Sequence, residues 1–291
     1  MAEGSTPRAS VVVPAHNEEG VLARGLSTLL RGAEPGELDV IVVANACTDR
    51  TAAVALAQGV RVVDTPVPGK PNALRLGDEA AATFPRLYLD ADVEVTVDAV
   101  RALVETLAQP GVLATSPVPR YDLTGVRPSA RRLQRVHDLL MTDRRGLAGA
   151  GAYCLSQDGH ARVAPFPDVI SDDGFVHRSF APGERVVCTR ASSVVRPAPT
   201  FAAGLRRRVR VRQGNQQLDA MGLPLEEGRL RLGSLVDLVR RRSISPVDAG
   251  WYLAFVTADR LQVRWRKVRG TQVSWGTDVS SRQVRTPEDR H

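Results

Sequence analysis

Residues 86–95 read Arg-Leu-Tyr-Leu-Asp-Ala-Asp-Val-Glu-Val, an apolar run that closes on two carboxylates one residue apart, Asp90 and Asp92. Carboxylates at i and i+2 beyond a strand can divide two tasks. One coordinates a hard divalent cation, which wants oxygen ligands, and the other orients a sugar or a water. The same spacing also suits a turn, or a cap on the next helix at Asp90. A second acidic group lies in Phe-Pro-Asp-Val-Ile-Ser-Asp-Asp-Gly-Phe-Val, residues 166–176. Asp168, Asp172 and Asp173 precede a helical start whose buried face would be Phe175, Val176 and Phe180. An ordinary aspartate has a pKa near ~3.9, so one of this pair is ionised at neutral pH and can accept a proton from a hydroxyl nucleophile. An adjacent carboxylate would raise that pKa and improve the base. Acids at a helix N-terminus also complement the dipole by ~0.3–1 kcal/mol, and the sequence leaves both readings open. A third candidate is Lys70, one of two lysines in the chain, in Thr-Pro-Val-Pro-Gly-Lys-Pro-Asn-Ala-Leu (65–74). A point-charge cation beside a helix N-terminus suits a phosphate, and an exposed loop lysine would look the same. The Walker pattern GxxxxGK[ST] is absent.

The elements that must position these residues alternate in type. Ser10–Val13, Asp39–Val43, Val60–Val63 and Arg86–Leu89 read as strands. Helical patterns follow them at 18–30, Thr51–Gln58, Asn72–Ala82 and Val97–Leu107. Strand and helix in alternation with short connections predict a mostly parallel sheet flanked by helices, an α/β fold. Ligands of such sheets bind beyond the carboxyl ends of the strands, which puts His16-Asn17-Glu18, Asn45–Asp49 and Asp90–Asp92 on one edge of one crevice. Regularity weakens after residue 110. Residues 117–129 read as a mobile loop, 130–145 as a basic helix, Val186–Cys188 and Ser193–Val195 as strands, and Pro197-Ala198-Pro199 as a boundary. Beyond it the pattern is helical over Phe201–Ala220, Gly233–Arg242 and Pro246–Arg266. The expected organisation is therefore a ligand-binding domain over 1–200 and a basic helical extension over 201–291 packing on it.

The 291 residues carry a net charge of +7, unevenly spread. Residues 201–291 hold 18 Arg or Lys against 9 Asp or Glu, and the first 200 hold 21 against 23. A basic third fits nucleic acid, an anionic membrane surface, a phosphorylated substrate, or a solvated arginine-rich surface. The stretch Arg260–Arg269 interleaves Leu261, Val263, Trp265 and Val268 with Arg264, Arg266 and Lys267, a pattern that could lie on anionic lipid. Trp251, Tyr252, Trp265 and Trp275 read as packing anchors for the C-terminal helices. Cys47, Cys154 and Cys188 are too scattered for a disulfide framework or a CxxC metal site, which points to a reducing compartment. No signal core and no run of ~20 apolar residues appears, so a cytoplasmic protein is expected, with peripheral membrane contact at most.

Six motifs in order give a resemblance to glycosyltransferase family 2 with the GT-A fold, over roughly residues 8–200. VVVPAHNEEGVL resembles its opening strand and turn, VIVVANACTDRTAAVA its second strand and acidic turn, and GKPNALRLG its GKxxALNxG segment. LYLDADVEV resembles the strand-borne DxD, GAGAYCLS (149–156) the glycine-rich acceptor-side segment, and ISDDGFV the E/D-D motif. The resemblance implies an enzyme that moves one sugar from a nucleoside-diphosphate sugar to an acceptor hydroxyl, with Mg2+ or Mn2+ and with inversion. It implies no nucleic-acid partner. Pro14, Ala15, His16 and Glu18 would line the base pocket, Asn45 would bind the base, and Lys70 would meet the base or the diphosphate. Asp90, with Ala91, would contact ribose or sugar. Asp92 would hold the metal, Asp173 would be the base, and Asp172 its polar neighbour. Gly149, Ala150 and Gly151 would lie on the acceptor side.

The chain departs from the family pattern at several positions. Ala44-Asn45 replaces the usual pair of acids, and an amide can donate as well as accept, so base preference does not carry over. His16 replaces a common aromatic residue, and its ring can stack as that residue would. The QxxRW signature of processive synthases is absent, and RVRQGNQQL (210–218) lies where it would fall, which leaves Arg212 and Gln213 (with Asn215) as candidate donor or acceptor contacts. His160 and His177 are candidates for a third metal ligand, since His177 lies one turn after Asp173 if that segment is helical. Three rivals remain: a retaining GT-A transferase, a nucleotidyltransferase, and a non-catalytic nucleotide-binding module.

Overall fold

The structure is a computed structural model that describes residues 6–142, 145–225 and 232–269. In the stretch 260–269 only the Leu261 side chain is among those described, and Trp275 lies outside the described residues. The chain forms two compact units. Of the described residues, one unit comprises 6–122 with Gly146–Arg196, and the other those of 123–145 and 197–269.

The first unit is built on an eight-stranded sheet. Its strands are β1 (Ala9–Ala15), β2 (Leu38–Asn45), β3 (Arg61–Thr65), β4 (Arg86–Leu89), β5 (Glu94–Val95), β6 (Ala114–Tyr121), β7 (Ala152–Leu155) and β8 (Arg185–Val195), in the spatial order β3-β2-β1-β4-β7-β6-β8-β5. β3, β2, β1 and β4 run parallel, β7 runs antiparallel to β4 and β6, and β6 is parallel to β8. All seven residues of β1 are buried, as expected of a central strand covered on both faces. Alternate residues divide the core. Val11 and Val13 face α1 (Leu22–Leu30) and α4 (Val97–Leu107), packing with Leu26 and Leu103. Val12 faces the other layer, with Leu74 of α3 (Lys70–Ala80), Tyr153, and Val176 of α7 (Asp172–Arg178). Helix α2 (Thr51–Ala57) and α6 (Gln157–Val163) complete the unit. The carboxyl ends of β1, β2 and β4 therefore lie on one edge, as the alternation predicts.

The mobile-loop reading of 117–129 needs correction. Residues up to Tyr121 belong to β6, with Pro117 opposite Cys188 and Pro119 opposite Ser193. Within β6, β7 pairs only with Ala114 and Thr115, so both prolines stand where β6 has a single neighbour and a missing N–H is tolerated. The two short strands read at 186–188 and 193–195 are one strand, and the register of its pairing shifts between Pro117 and Val118.

The second unit contains α5 (Pro128–Met141), α8 (Phe201–Ala220), α9 (Leu232–Arg240) and α10 (Pro246–Arg269). Leu133, Val136, Leu140, Leu235, Ile244, Tyr252 and Phe255 form its core. Asp259 is fully buried there and paired with Arg208 and Arg212 of α8. Tyr252 is the packing anchor expected of it, whereas Trp251 stays 39% exposed with its ring tilted against Phe201.

One helix-to-sheet approach in the first unit is glycine-dependent: a Cβ on Gly77 of α3 would collide with Val12 Cγ1 in the middle of β1. Gly77→Ala is expected to destabilise by about 1–3 kcal/mol through overpacking, seen as a lower thermal midpoint, and adding Val12→Ala should recover part of the loss.

Candidate active site

The loops after β1 and β2 are stitched together at the sheet edge. Asn17 Oδ1 accepts the Thr48 N–H at 2.8 Å, and the Glu18 N–H donates to Thr51 Oγ1 at 2.8 Å. Asn17 and Ala46 both take positive φ, at 54° and 49°, the tight reversals that let the loops meet. His16 Nδ1 lies 2.7 Å from the Asn45 carbonyl. A carbonyl only accepts, so that nitrogen carries the proton. Asn45 is fully buried, and neither its amide nitrogen nor its amide oxygen has a partner among the described residues.

Lys70 opens α3 directly after Gly69, whose φ of 132° is a conformation glycine adopts without strain. Its ammonium lies 2.7 Å from Asp90 Oδ1 and 2.8 Å from Asp172 Oδ1. The Lys70 side chain is 18% exposed and that of Asp172 7%. Burial alone would lower the lysine pKa, but the Asp172 and Asp90 charges hold it well above the ordinary range, so the cation persists. Tyr153 donates its hydroxyl to Asp172 Oδ2 at 3.1 Å, with the Tyr153 pKa pushed far up by burial and then by the Asp172 charge. Its ring stacks on Tyr88, its cross-strand partner in β4, at 5.0 Å. The sequence marks neither tyrosine as a site residue: Tyr88 reads only as part of the apolar run of β4, and β7 does not read as a strand.

Asp173 points at different partners. Its Oδ2 accepts the Gly149 N–H at 2.9 Å, and its Oδ1 accepts the Ser171 hydroxyl and the Gly174 N–H, both at 2.7 Å. Burial pushes this carboxyl up, but the Lys70 charge and those three hydrogen bonds outweigh it, so its pKa lies below the ordinary value. Asp172 shifts the opposite way: burial and the neighbouring Asp173 and Asp90 charges raise it against the pull of Lys70. The glycine-rich segment ties the two acidic groups together, since the Gly151 carbonyl accepts the Asp90 N–H at 2.9 Å while Gly149 serves Asp173. Pro14, Lys70, Asp90, Gly151, Tyr153, Asp172 and Asp173 line one small cavity.

The remaining candidates lie as follows. His177 is buried, and its Nδ1 accepts the Leu147 N–H at 3.2 Å, with the ring against Gly146. His160 sits 3.1 Å from Asp78 and edge-on to Phe84. Asp168 is exposed and pairs with Arg75 at 3.0 Å. Arg212 and Gln213 belong to α8 of the second unit, where Arg212 pairs with Asp259. Among the described residues no three His, Cys, Asp or Glu side chains come together to hold a metal ion. The donors at the end of β4 are thus one or two carboxylates. That set fits a hard divalent cation that would take its remaining ligands from outside the protein, and not a closed protein cage.

Removing the shared cation should expose the strain in this arrangement. Lys70→Met is expected to destabilise by about 3 kcal/mol at pH 7, because it leaves Asp172 buried and unpaired. The folded variant then binds a proton more readily than the unfolded chain, so the loss should shrink between pH 7 and pH 5 in thermal melts. Asp172→Asn on the same background should restore part of the stability.

Comparison with known proteins identifies the family and the fold. Residues 10–157, just over half of the chain, match the sequence profile of Glycosyl transferase family 2. The 4,4'-diaponeurosporenoate glycosyltransferase of Staphylococcus aureus (strain MRSA252) is 33% identical over 122 residues, 40% of this chain and 32% of that enzyme, so the match spans about a third of that relative. Glucosyl-3-phosphoglycerate synthase from Mycobacterium tuberculosis, solved with Mn2+, UDP-glucose and phosphoglyceric acid, superposes with a TM-score of 0.53 at 23% identity, over 75% of this chain and 81% of that one. The mannosyltransferase PcManGT from Pyrobaculum calidifontis, solved with GDP-mannose and Mn2+, gives 0.59 at 18% identity over 91% and 80%. These two share the fold. No described helix is long and apolar enough to cross a membrane. With the family profile covering the segments that carry Asn45, Lys70 and Asp90, the chain belongs to glycosyltransferase family 2 and has the GT-A fold.

Proposed function

We propose that this enzyme transfers a single sugar from a nucleoside-diphosphate sugar to an acceptor hydroxyl with inversion, supported by Mg2+ or Mn2+. The observation that carries the reading is one cavity lined both by the donor-side residues Lys70 and Asp90 and by Asp173. Asp173 is the base. Held below the ordinary aspartate pKa, it is ionised at neutral pH and accepts the acceptor's proton as that oxygen attacks the anomeric carbon and the bond to the diphosphate breaks. Its hydrogen bonds to Gly149, Ser171 and Gly174 fix its orientation at some cost in basicity. Asp172, locked between Lys70 and Tyr153, holds the cation beside Asp90 and does not itself take the proton.

On the donor side, Pro14, Ala15, His16 and Glu18 with the Asn45 amide take the base, and Asp90 with Ala91 takes ribose or sugar. The buried, unpartnered Asn45 amide supports the first assignment, since such a group costs ~1–3 kcal/mol until it finds a partner. Asp92, with Asp90 beside it, would hold the divalent ion. When bound, the ion supplies neutralisation of charge on the departing diphosphate. His177 does not enter this donor set, because its Nδ1 accepts a backbone N–H and the ring is buried.

The test separates the roles. Asp173→Asn should lower kcat by about 10²–10⁴ while leaving nucleoside-diphosphate affinity unchanged in a thermal-shift panel of UDP, GDP and dTDP. Asp92→Asn should abolish the Mn2+-dependent part of that shift. Transfer that persists in the double variant would refute the assignment, and retained anomeric configuration in the product, read by NMR, would establish the retaining mechanism instead.

A further inference from the structure

Helix α10 is apolar on both sides. Its inner side carries Ala249, Tyr252 and Phe255, all in the core of the second unit. Its outer side exposes Val247, Trp251, Leu253, Ala254, Thr257 and Leu261, and no described exposed position between 247 and 261 bears a charge. Val247 is 68% exposed, Leu261 61% and Leu253 40%. Residues 247, 251, 254, 258 and 261 follow helical spacing, so the apolar positions form one stripe along about four turns. A helix with an apolar outer face of this length marks an interaction surface.

The rim of the stripe identifies the partner. Arg131, Arg132 and Arg135 of α5 are exposed. Arg132 reaches Asp248 at 3.2 Å and, with Ser129, Val247, Gly250 and Trp251, lines a surface depression of about 370 Å³. Arg135 donates to the Ser243 carbonyl at 3.3 Å, and Arg240, Arg241 and Arg242 are exposed just before α10. The Trp251 indole N–H donates to the Ser129 carbonyl at 3.3 Å, so its polar edge is satisfied by protein and part of the ring stays outward. An uncharged stripe with a partly exposed tryptophan and bordering arginines has the composition of a segment that lies in the headgroup layer of a bilayer. A second copy of the chain would offer an equally basic rim. An anionic surface accepts both the stripe and the rim.

We propose that the outer face of α10, with the arginines of α5 and of the turn before α10, docks on the surface of a bilayer containing anionic phospholipid. The proposal is independent of the donor-site assignments, and its test does not use transfer activity. The full chain is floated with vesicles of phosphatidylcholine alone and of phosphatidylcholine with phosphatidylglycerol. Expected is roughly tenfold or greater preference for the anionic vesicles, weakened at high salt. Val247→Glu with Leu261→Glu should reduce that binding about tenfold, with thermal midpoint and nucleotide-induced shift unchanged, since both side chains are exposed. Arg131→Gln with Arg135→Gln should reduce the preference for anionic lipid while leaving weak binding to the neutral vesicles as it was. The proposal is overturned if the wild type ignores anionic vesicles or if the glutamate pair binds them undiminished. Light scattering that shows a wild-type dimer dissociated by that same pair would also overturn it, in favour of a second copy on this face.

Discussion

The end of β4 and the acidic helix α7 are held together by one largely buried cation. Lys70 lies within 2.8 Å of two carboxylates separated by 82 positions in the chain, Asp90 at the end of β4 and Asp172 at the start of α7. Two partly desolvated carboxylates near one another repel, and without the ammonium one of them would have to take up a proton. With it, the strand end and the helix N-terminus can share a wall of the same cavity. An arginine would not be equivalent: a planar fork asks for bidentate geometry, whereas a compact ammonium can sit between two single oxygens on different elements. In a chain that otherwise uses arginine almost throughout, the lysine at this position has a physical reason.

The backbone around the cation follows from the same requirement. Gly69 supplies the conformation that starts α3 at Lys70, and Gly149 and Gly151, at φ 89° and 64°, carry the segment that serves both acids. A Cβ on Gly151 would press on Val93, so the chain could not pass this close to the end of β4 with any other residue there. Tyr153 then adds a neutral donor to the second Asp172 oxygen, and the Tyr88–Tyr153 stack anchors it to β4. Hydrogen bonds, glycine geometry and aromatic packing therefore converge on the placement of two carboxylates.

Much of this was legible in the residues, and the exceptions share a cause. The valine run of β1, the Arg86–Leu89 strand and the bounds of α8 follow from local pattern, and the structure places them where the pattern puts them. Asp90, Lys70 and the acidic pair stood out by type and position. Their mutual pairing did not, because Lys70 and Asp172 lie 102 positions apart and nothing periodic links them. β7 and Tyr153 escaped notice within a stretch whose glycines drew the attention. Pro117 and Pro119 signalled a loop, yet they occupy a strand, because what decides their tolerance is whether a second neighbour needs their N–H groups. Tertiary pairing is the information that a single sequence does not display.

The adjacent acids Asp172 and Asp173 are the last consequence of the shared cation. Consecutive residues in a helical turn point about 100° apart, so one can face Lys70 and Tyr153 while the other faces the glycine segment. Their environments then separate the two titrations: Asp172 is raised by burial and by like charge, and Asp173 is held low by backbone and hydroxyl donors. Of these two acids, Asp172 is therefore the one that takes up a proton first on acidification. Asp173 stays ionised through that step. The division of partners between the two acids secures that order, and it could not exist if both carboxylates faced the same solvent.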